Sequence, residues 1–147
     1  MRELEWFHDL RVIRGAWIVI RVDGRSFSKL TESSFEKPFD NGFHAAMAQM
    51  AEALLVELHA LYAYTESDEI SVLLPRDSEL FDREVEKLVS VSAGVASATF
   101  TKESGRSAHF DSRLWLGISE ENVAWNMTIS FVGLWHPGRH NPPELRP

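Results

Sequence analysis

The pattern of apolar positions divides the chain into alternating extended and helical stretches. Ala16–Val22 (AWIVIRV) is β-branched and apolar on both faces, which predicts a central strand. It runs into Asp23-Gly24, a turn signal, and residues 25–39 follow as a loop carrying Phe27, Leu30 and Phe35. Asp40 or Asn41 can cap a helix on which Phe43, Met47, Met50, Leu54 and Leu58 recur at helical spacing. Leu61–Tyr64 and Ile70–Leu74 predict two strands around the polar turn Thr65-Glu66-Ser67-Asp68, with Pro75 closing the second. Ser78 can cap a second helix that turns Leu80, Val85, Leu88, Val91 and Val95 inward. Phe110–Leu116 (FDSRLWL) alternates and predicts a last strand.

The order β-α-β-β-α-β is that of an α+β, ferredoxin-like split βαβ. Sheets of this class run in strand order 4-1-3-2, which makes strands one and three antiparallel neighbours. The end of strand one then lies beside the start of strand three. Asp23 and Asp68, remote in sequence, are expected to meet.

Composition adds bounds. The chain has 147 residues, enough for one domain, and its 44% hydrophobic content can bury a substantial core. It lacks an apolar run of membrane-spanning length and a signal-like start, so it is expected to be cytoplasmic, without a membrane partner. With no cysteine, disulfides and thiolate metal sites are excluded. A net charge of −7 argues against a surface coated for nucleic acid. Yet Arg11, Arg14, Arg21, Arg25, Lys29 and Lys37 make the region around the first strand locally basic, suited to binding phosphates.

Nucleotidyl transfer needs positive charge on the phosphates and an activated hydroxyl, and two divalent cations supply both. Mg²⁺ prefers hard oxygen ligands and keeps several waters, so two aspartates and a backbone carbonyl suffice to hold it. Asp23 and Asp68 match that need, with the Gly24 carbonyl as a further oxygen and Glu69 as a third acidic group. Singly, each has an ordinary reading as a turn residue; their convergence in the expected topology is what raises them. Lys37 and Lys87 are candidate triphosphate contacts, although an isolated lysine is more often simply solvated. Ser67 can donate to a phosphate or only shape its turn. The histidines form no HExxH pattern, and Walker, GxGxxG and GxSxG motifs are absent.

Three stretches, VIRVDGRSFSKL (Val19–Leu30), FEKPFD (Phe35–Asp40) and YAYTESDEISVLLP (Tyr62–Pro75), resemble the tRNA-His guanylyltransferase family, nearer its bacterial and archaeal relatives. The helix FDREVEKLVSVSAGVASATF (Phe81–Phe100) and HFDSR (His109–Arg113) continue the resemblance, which covers residues 16–123. It implies a polymerase-like palm that adds nucleotides to the 5′ end of tRNA, opposite to ordinary polymerases. It further implies two Mg²⁺ ions on Asp23, Gly24 and Asp68, with Lys37 and Lys87 on the triphosphate. Ser67 and Glu69 complete the SDE wording, and Asp40 lies where the family loop approaches the incoming base. The implied substrates are tRNA, GTP and ATP: a 5′ monophosphate is activated with a nucleoside triphosphate, then attacked by the 3′-hydroxyl of an incoming nucleotide. The resemblance also implies a homotetramer, an assembly to which the region replaced by the divergent C-terminus can contribute.

The resemblance stops at Val123, so residues 1–123 are read as the palm domain and 124–147, rich in Pro, Gly and His, as a divergent, disordered tail. Met127–Gly133, back-translated and read two bases later, gives Asp-Tyr-Phe-x-Arg-Trp, words with which the family continues; the divergence is read as a frameshift or truncation. The alternative function is accordingly a catalytically impaired palm that only binds nucleotide or RNA. A nucleotide cyclase on a similar palm is a further rival, against which the SDE turn and the KP loop speak.

Overall fold

Alternation along the first strand decides the architecture. In the computed structural model, which describes residues 8–27, 41–127 and 133–135, the first strand β1 spans Trp17–Gly24. Ile18, Ile20 and Val22 turn to one face and are buried, with α1 (Asn41–Glu57) and α2 (Val85–Ser104) contributing to the same core cluster. Between the helices lie β2 (Tyr62–Glu66) and β3 (Glu69–Leu73). After α2 come β4 (Phe110–Gly117), a short helix α3 (Glu120–Met127) and β5 (Gly133–Trp135). The sheet order is β4-β1-β3-β2-β5, so the expected 4-1-3-2 arrangement is present with one strand added at the β2 edge.

Met47, Met50 and Leu54 of α1 and Leu88, Ala96 and Phe100 of α2 fill the space over the sheet. The methionine, leucine and phenylalanine side chains among them each contribute about 1.5–3 kcal/mol through burial. The inward stripe of α2 differs from the expected one. Leu88, Ser92, Ala96 and Phe100 face the sheet, while Val91 and Val95 are only half-buried. Small Ser92 and Ala96 let the helix approach the sheet. The Ser92 hydroxyl is satisfied there, donating to the Leu88 carbonyl at 2.6 Å and lying 2.7 Å from Ser112 Oγ.

Arg83 is buried beneath the other end of the sheet. Its guanidinium donates to five backbone carbonyls, those of Val12, Ile13, Ala16, Arg76 and Ser78. All its donors are used, so a buried cation is held without a carboxylate. It stands in a turn, Leu80–Arg83, where Phe81, Asp82 and Arg83 all have positive φ (52°, 53° and 58°). Such left-handed backbone costs roughly 1–2 kcal/mol per residue, which the carbonyl bonds and the ion pair between Arg11 and Asp82 offset.

The stretch after Val123, read from sequence as a tail without structure, is corrected in part. Helix α3 runs through Met127, and Gly133–Trp135 pairs antiparallel with β2, Tyr62 opposite Trp135 and Tyr64 opposite Gly133. The β2 edge has unpaired peptide groups, and even three extended residues satisfy some of them. Among the described residues, no helix is long and apolar enough to cross a membrane.

Candidate functional site

The sheet face away from α1 and α2 carries three registered rows of side chains. Pairing of β4, β1, β3 and β2 sets Asp111, Asp23, Glu69 and Glu66 side by side. The next row is Arg113, Arg21, Ser71 and Tyr64, and the third is Trp115, Val19, Leu73 and Tyr62. Helix α3 covers the third row: Val123 buries itself against Val19 and Leu73, flanked by Trp17, Tyr62 and Trp115. The acidic row and the arginine row remain beyond it, at the end of the sheet where the β2–β3 hairpin turns.

Backbone bonds lock that end. The Gly24 amide donates to the Asp68 carbonyl at 3.2 Å, and the Arg25 amide to the His109 carbonyl at 2.8 Å. The hairpin turn is the pair Ser67-Asp68, between the paired residues Glu66 and Glu69. Two-residue hairpins need positive φ, and Ser67 supplies it at 56°. Asp23, Asp68 and Glu69 are thus carried by adjoining strand ends, with Ser67 and Arg25 beside them.

Gly24 acts differently from the reading that it allows a sharp turn. It stays within β1, and the left-handed residue is Ser26 (φ 60°). What Gly24 permits is the approach of Phe27, whose ring lies 2.3 Å from where a Cβ would stand. Phe27, assigned from sequence to a loop, is buried in an aromatic cluster with Phe43, Phe100 and Phe110, its ring centroids 4.9 Å from Phe110 and 5.2 Å from Phe100. This cluster underlies the Asp23-Gly24 corner and fixes it.

The acidic row is partly neutralised by the row behind it. Arg21 Nε is 3.0 Å from Glu69, and Arg113 reaches Asp23 at 3.3 Å and Asp111 at 3.1 Å. Tyr64 donates to Glu66 at 2.9 Å. Burial pushes the Glu69 carboxyl above its usual range; Arg21 pulls it down, while the carboxylates of Asp23 and Glu66 push it up. The hydrogen bond to Asp111 raises Arg113 further.

Lys87 is not brought to this end. The first turn of α2 lies against the segment leading into β1: the Val85 amide bonds Leu10, and Arg11 bridges to Glu84. That is the opposite end of β1, roughly 20 Å from Asp23 at about 3.3 Å per strand residue. Lys87 instead pairs with Glu84 at 3.4 Å. Lys37 and Asp40 lie outside the described residues. Sequence reading missed Asp111 and Arg113 as members of the row. Their signal was the alternation of FDSR on the strand next to β1, which puts both on the Asp23 face.

A βαββαβ sheet whose open face ends in carboxylates at the β1 terminus and the β2–β3 turn defines a palm-like α+β domain. The family profile described as Thg1, tRNAHis guanylyltransferase, matches residues 1–131, and the chain belongs to this family. The match runs past Val123, where the sequence reading ended. A probable tRNA(His) guanylyltransferase of Drosophila melanogaster is 30% identical over 125 residues, covering 78% of this chain and 44% of that protein. The tRNA(His) guanylyltransferase of Neurospora crassa is 36% identical over 91 residues, covering 60% of this chain and 31% of that protein. A bacterial tRNA(His) guanylyltransferase-like protein in complex with GTP superposes with a TM-score of 0.78 at 27% identity, covering 86% of this chain and 60% of that one. The chain thus spans less than two thirds of the length of these relatives.

Proposed function

We propose that this chain is the palm of a 3′→5′ nucleotidyltransferase that adds nucleotides to the 5′ end of tRNA, using GTP and ATP. The observation that carries the reading is the Gly24–Asp68 backbone bond, which sets Asp23 and Asp68 at one corner of the open face. A related structure holds GTP and another ATP, which supports triphosphates as the substrates.

The donor set suits Mg²⁺. Among the described residues no three His, Asp or Glu side chains gather into a closed metal cage, and Mg²⁺ does not require one, since waters and phosphate oxygens complete its shell. The register sets Asp111, Asp23, Glu69 and Glu66 in one row at this corner, a set of oxygen donors that favours a hard cation. Asp23, Asp68 and the Gly24 carbonyl would hold the ions. Bound there, two Mg²⁺ would neutralise phosphate charge and ease ionisation of the attacking 3′-hydroxyl. The chain's own work is positional: the Phe27 cluster fixes the Asp23 corner, the hairpin fixes Asp68, and Arg21 restrains Glu69. Ser67 and Arg25 stand where they can donate to phosphate oxygens, and Lys37 is kept as a triphosphate ligand on the strength of its wording.

Calorimetry with GTP or ATP and Mg²⁺ tests the reading. Asp68→Ala is expected to abolish most of the Mg²⁺-dependent binding, and equal binding by both proteins removes the metal assignment. Nucleotide addition to a 5′-truncated tRNA then tests the reaction itself.

A further inference from the structure

Arg113 is ion-paired with Asp23, and it is unlike the other arginine of its row. Arg21 is mostly sheltered beside Glu69, whereas the Arg113 side chain is 62% exposed and bridges two carboxylates. Its anchor is Asp111, two residues back on the same strand at 3.1 Å; its contact with Asp23, across the strand gap, is the longer at 3.3 Å. An exposed pair of that kind is weak and readily exchanged.

This arrangement has a consequence if Asp23 binds a divalent cation, the reading on which this inference rests. Guanidinium and cation then compete for the same carboxylate. When the cation enters, Arg113 gives up Asp23 but stays tethered by Asp111 at the edge of the site. Its freed N–H groups face whatever lies above Asp23, and a guanidinium matches phosphate oxygens geometrically as well as by charge. We propose that Arg113 is an exchanging phosphate ligand: it rests on Asp23 while the site holds no cation and transfers to a phosphate group of the substrate once a cation occupies Asp23.

The signature is a pair of opposite effects in one variant. Arg113→Met should bind Mn²⁺ alone roughly two- to fivefold more tightly, the range an exposed ion pair is worth. The same variant should bind inorganic tripolyphosphate with Mg²⁺ at least about threefold more weakly, because a charge-assisted contact is lost. Arg113→Lys, which keeps the charge without the fork, should fall between. Mn²⁺ is followed by electron paramagnetic resonance, tripolyphosphate by calorimetry, and thermal midpoints check that each variant is folded. Mn²⁺ binding that is unchanged or weaker in Arg113→Met, or tripolyphosphate binding that is unchanged, overturns the proposal. Asp23→Asn separates the two levels. If it loses Mn²⁺ while Arg113→Met behaves as wild type, the metal site stands and the exchange fails; if it keeps full Mn²⁺ affinity, both fail.

Discussion

The amide of Gly24 donates to the carbonyl of Asp68 at 3.2 Å. These residues end one strand and sit in the turn before its neighbour, so one backbone bond joins the two carboxylate-bearing segments of the site. Because the bond is made by peptide groups, it survives substitution of either aspartate. Loss of function in Asp23 or Asp68 variants can therefore be read as lost chemistry, provided folding is checked.

Gly24→Ala should destabilise the corner. A Cβ there would stand 2.3 Å from the Phe27 ring, within a buried aromatic cluster. Overpacking of this kind costs about 1–3 kcal/mol. Denaturant titration of Gly24→Ala, Phe27→Leu and the double variant checks it: the double variant should be more stable than the sum of the two losses implies. Strict additivity would show that the two residues do not press on each other.

Arg83→Met should cost at least about 3 kcal/mol, since it leaves five carbonyls without their donor. Arg83→Lys should rescue little, because one ammonium with three protons cannot span the same carbonyls. The measurement is the urea midpoint of both variants. A lysine variant close to wild type would reduce the site to a simple charge requirement.

Glu69 carries a pH signature. Its carboxyl is raised in the folded protein, first by burial and then by Asp23 and Glu66, against the pull of Arg21. Between the ordinary glutamate range and the raised value the folded state binds more protons than the unfolded chain. Its contribution therefore stabilises as pH falls through the raised value and is unfavourable above it. In metal-free protein, Glu69→Gln should remove this component, so that stability against pH is flatter just above the ordinary glutamate range. Parallel curves for the two proteins would show that Glu69 is not perturbed.

Lys87→Ala should leave Mg²⁺-dependent triphosphate binding by the monomeric chain unchanged and alter stability by no more than about 0.5 kcal/mol. The reason is placement: Lys87 lies on the first turn of α2, paired with Glu84, at the far end of β1 from Asp23. Calorimetry on the monomeric fraction from gel filtration decides it. A clear loss of affinity there would mean that the triphosphate site extends along the whole sheet.

The local period of apolar residues determined the helices and strands of the βαββαβ core, because burial on one face leaves a repeat of two or of 3.6 along the chain. Topology then made Asp23 and Asp68 neighbours, since a split βαβ allows few strand orders. The wording around these residues identified the family for the same reason: it is local. What sequence did not carry is what side chains do across the sheet. Register, a property of pairs of strands, put Asp111 beside Asp23 and leaned Arg113 onto both. Gly24 read as a turn glycine because nothing local announces a phenylalanine folding back over it. Lys87 read as a site residue because the resemblance matches it to the family lysine on the second helix, yet the direction of α2 carries it to the other end of the sheet. The short strand at Gly133–Trp135 has no period long enough to detect; only the open edge of β2 makes it a strand.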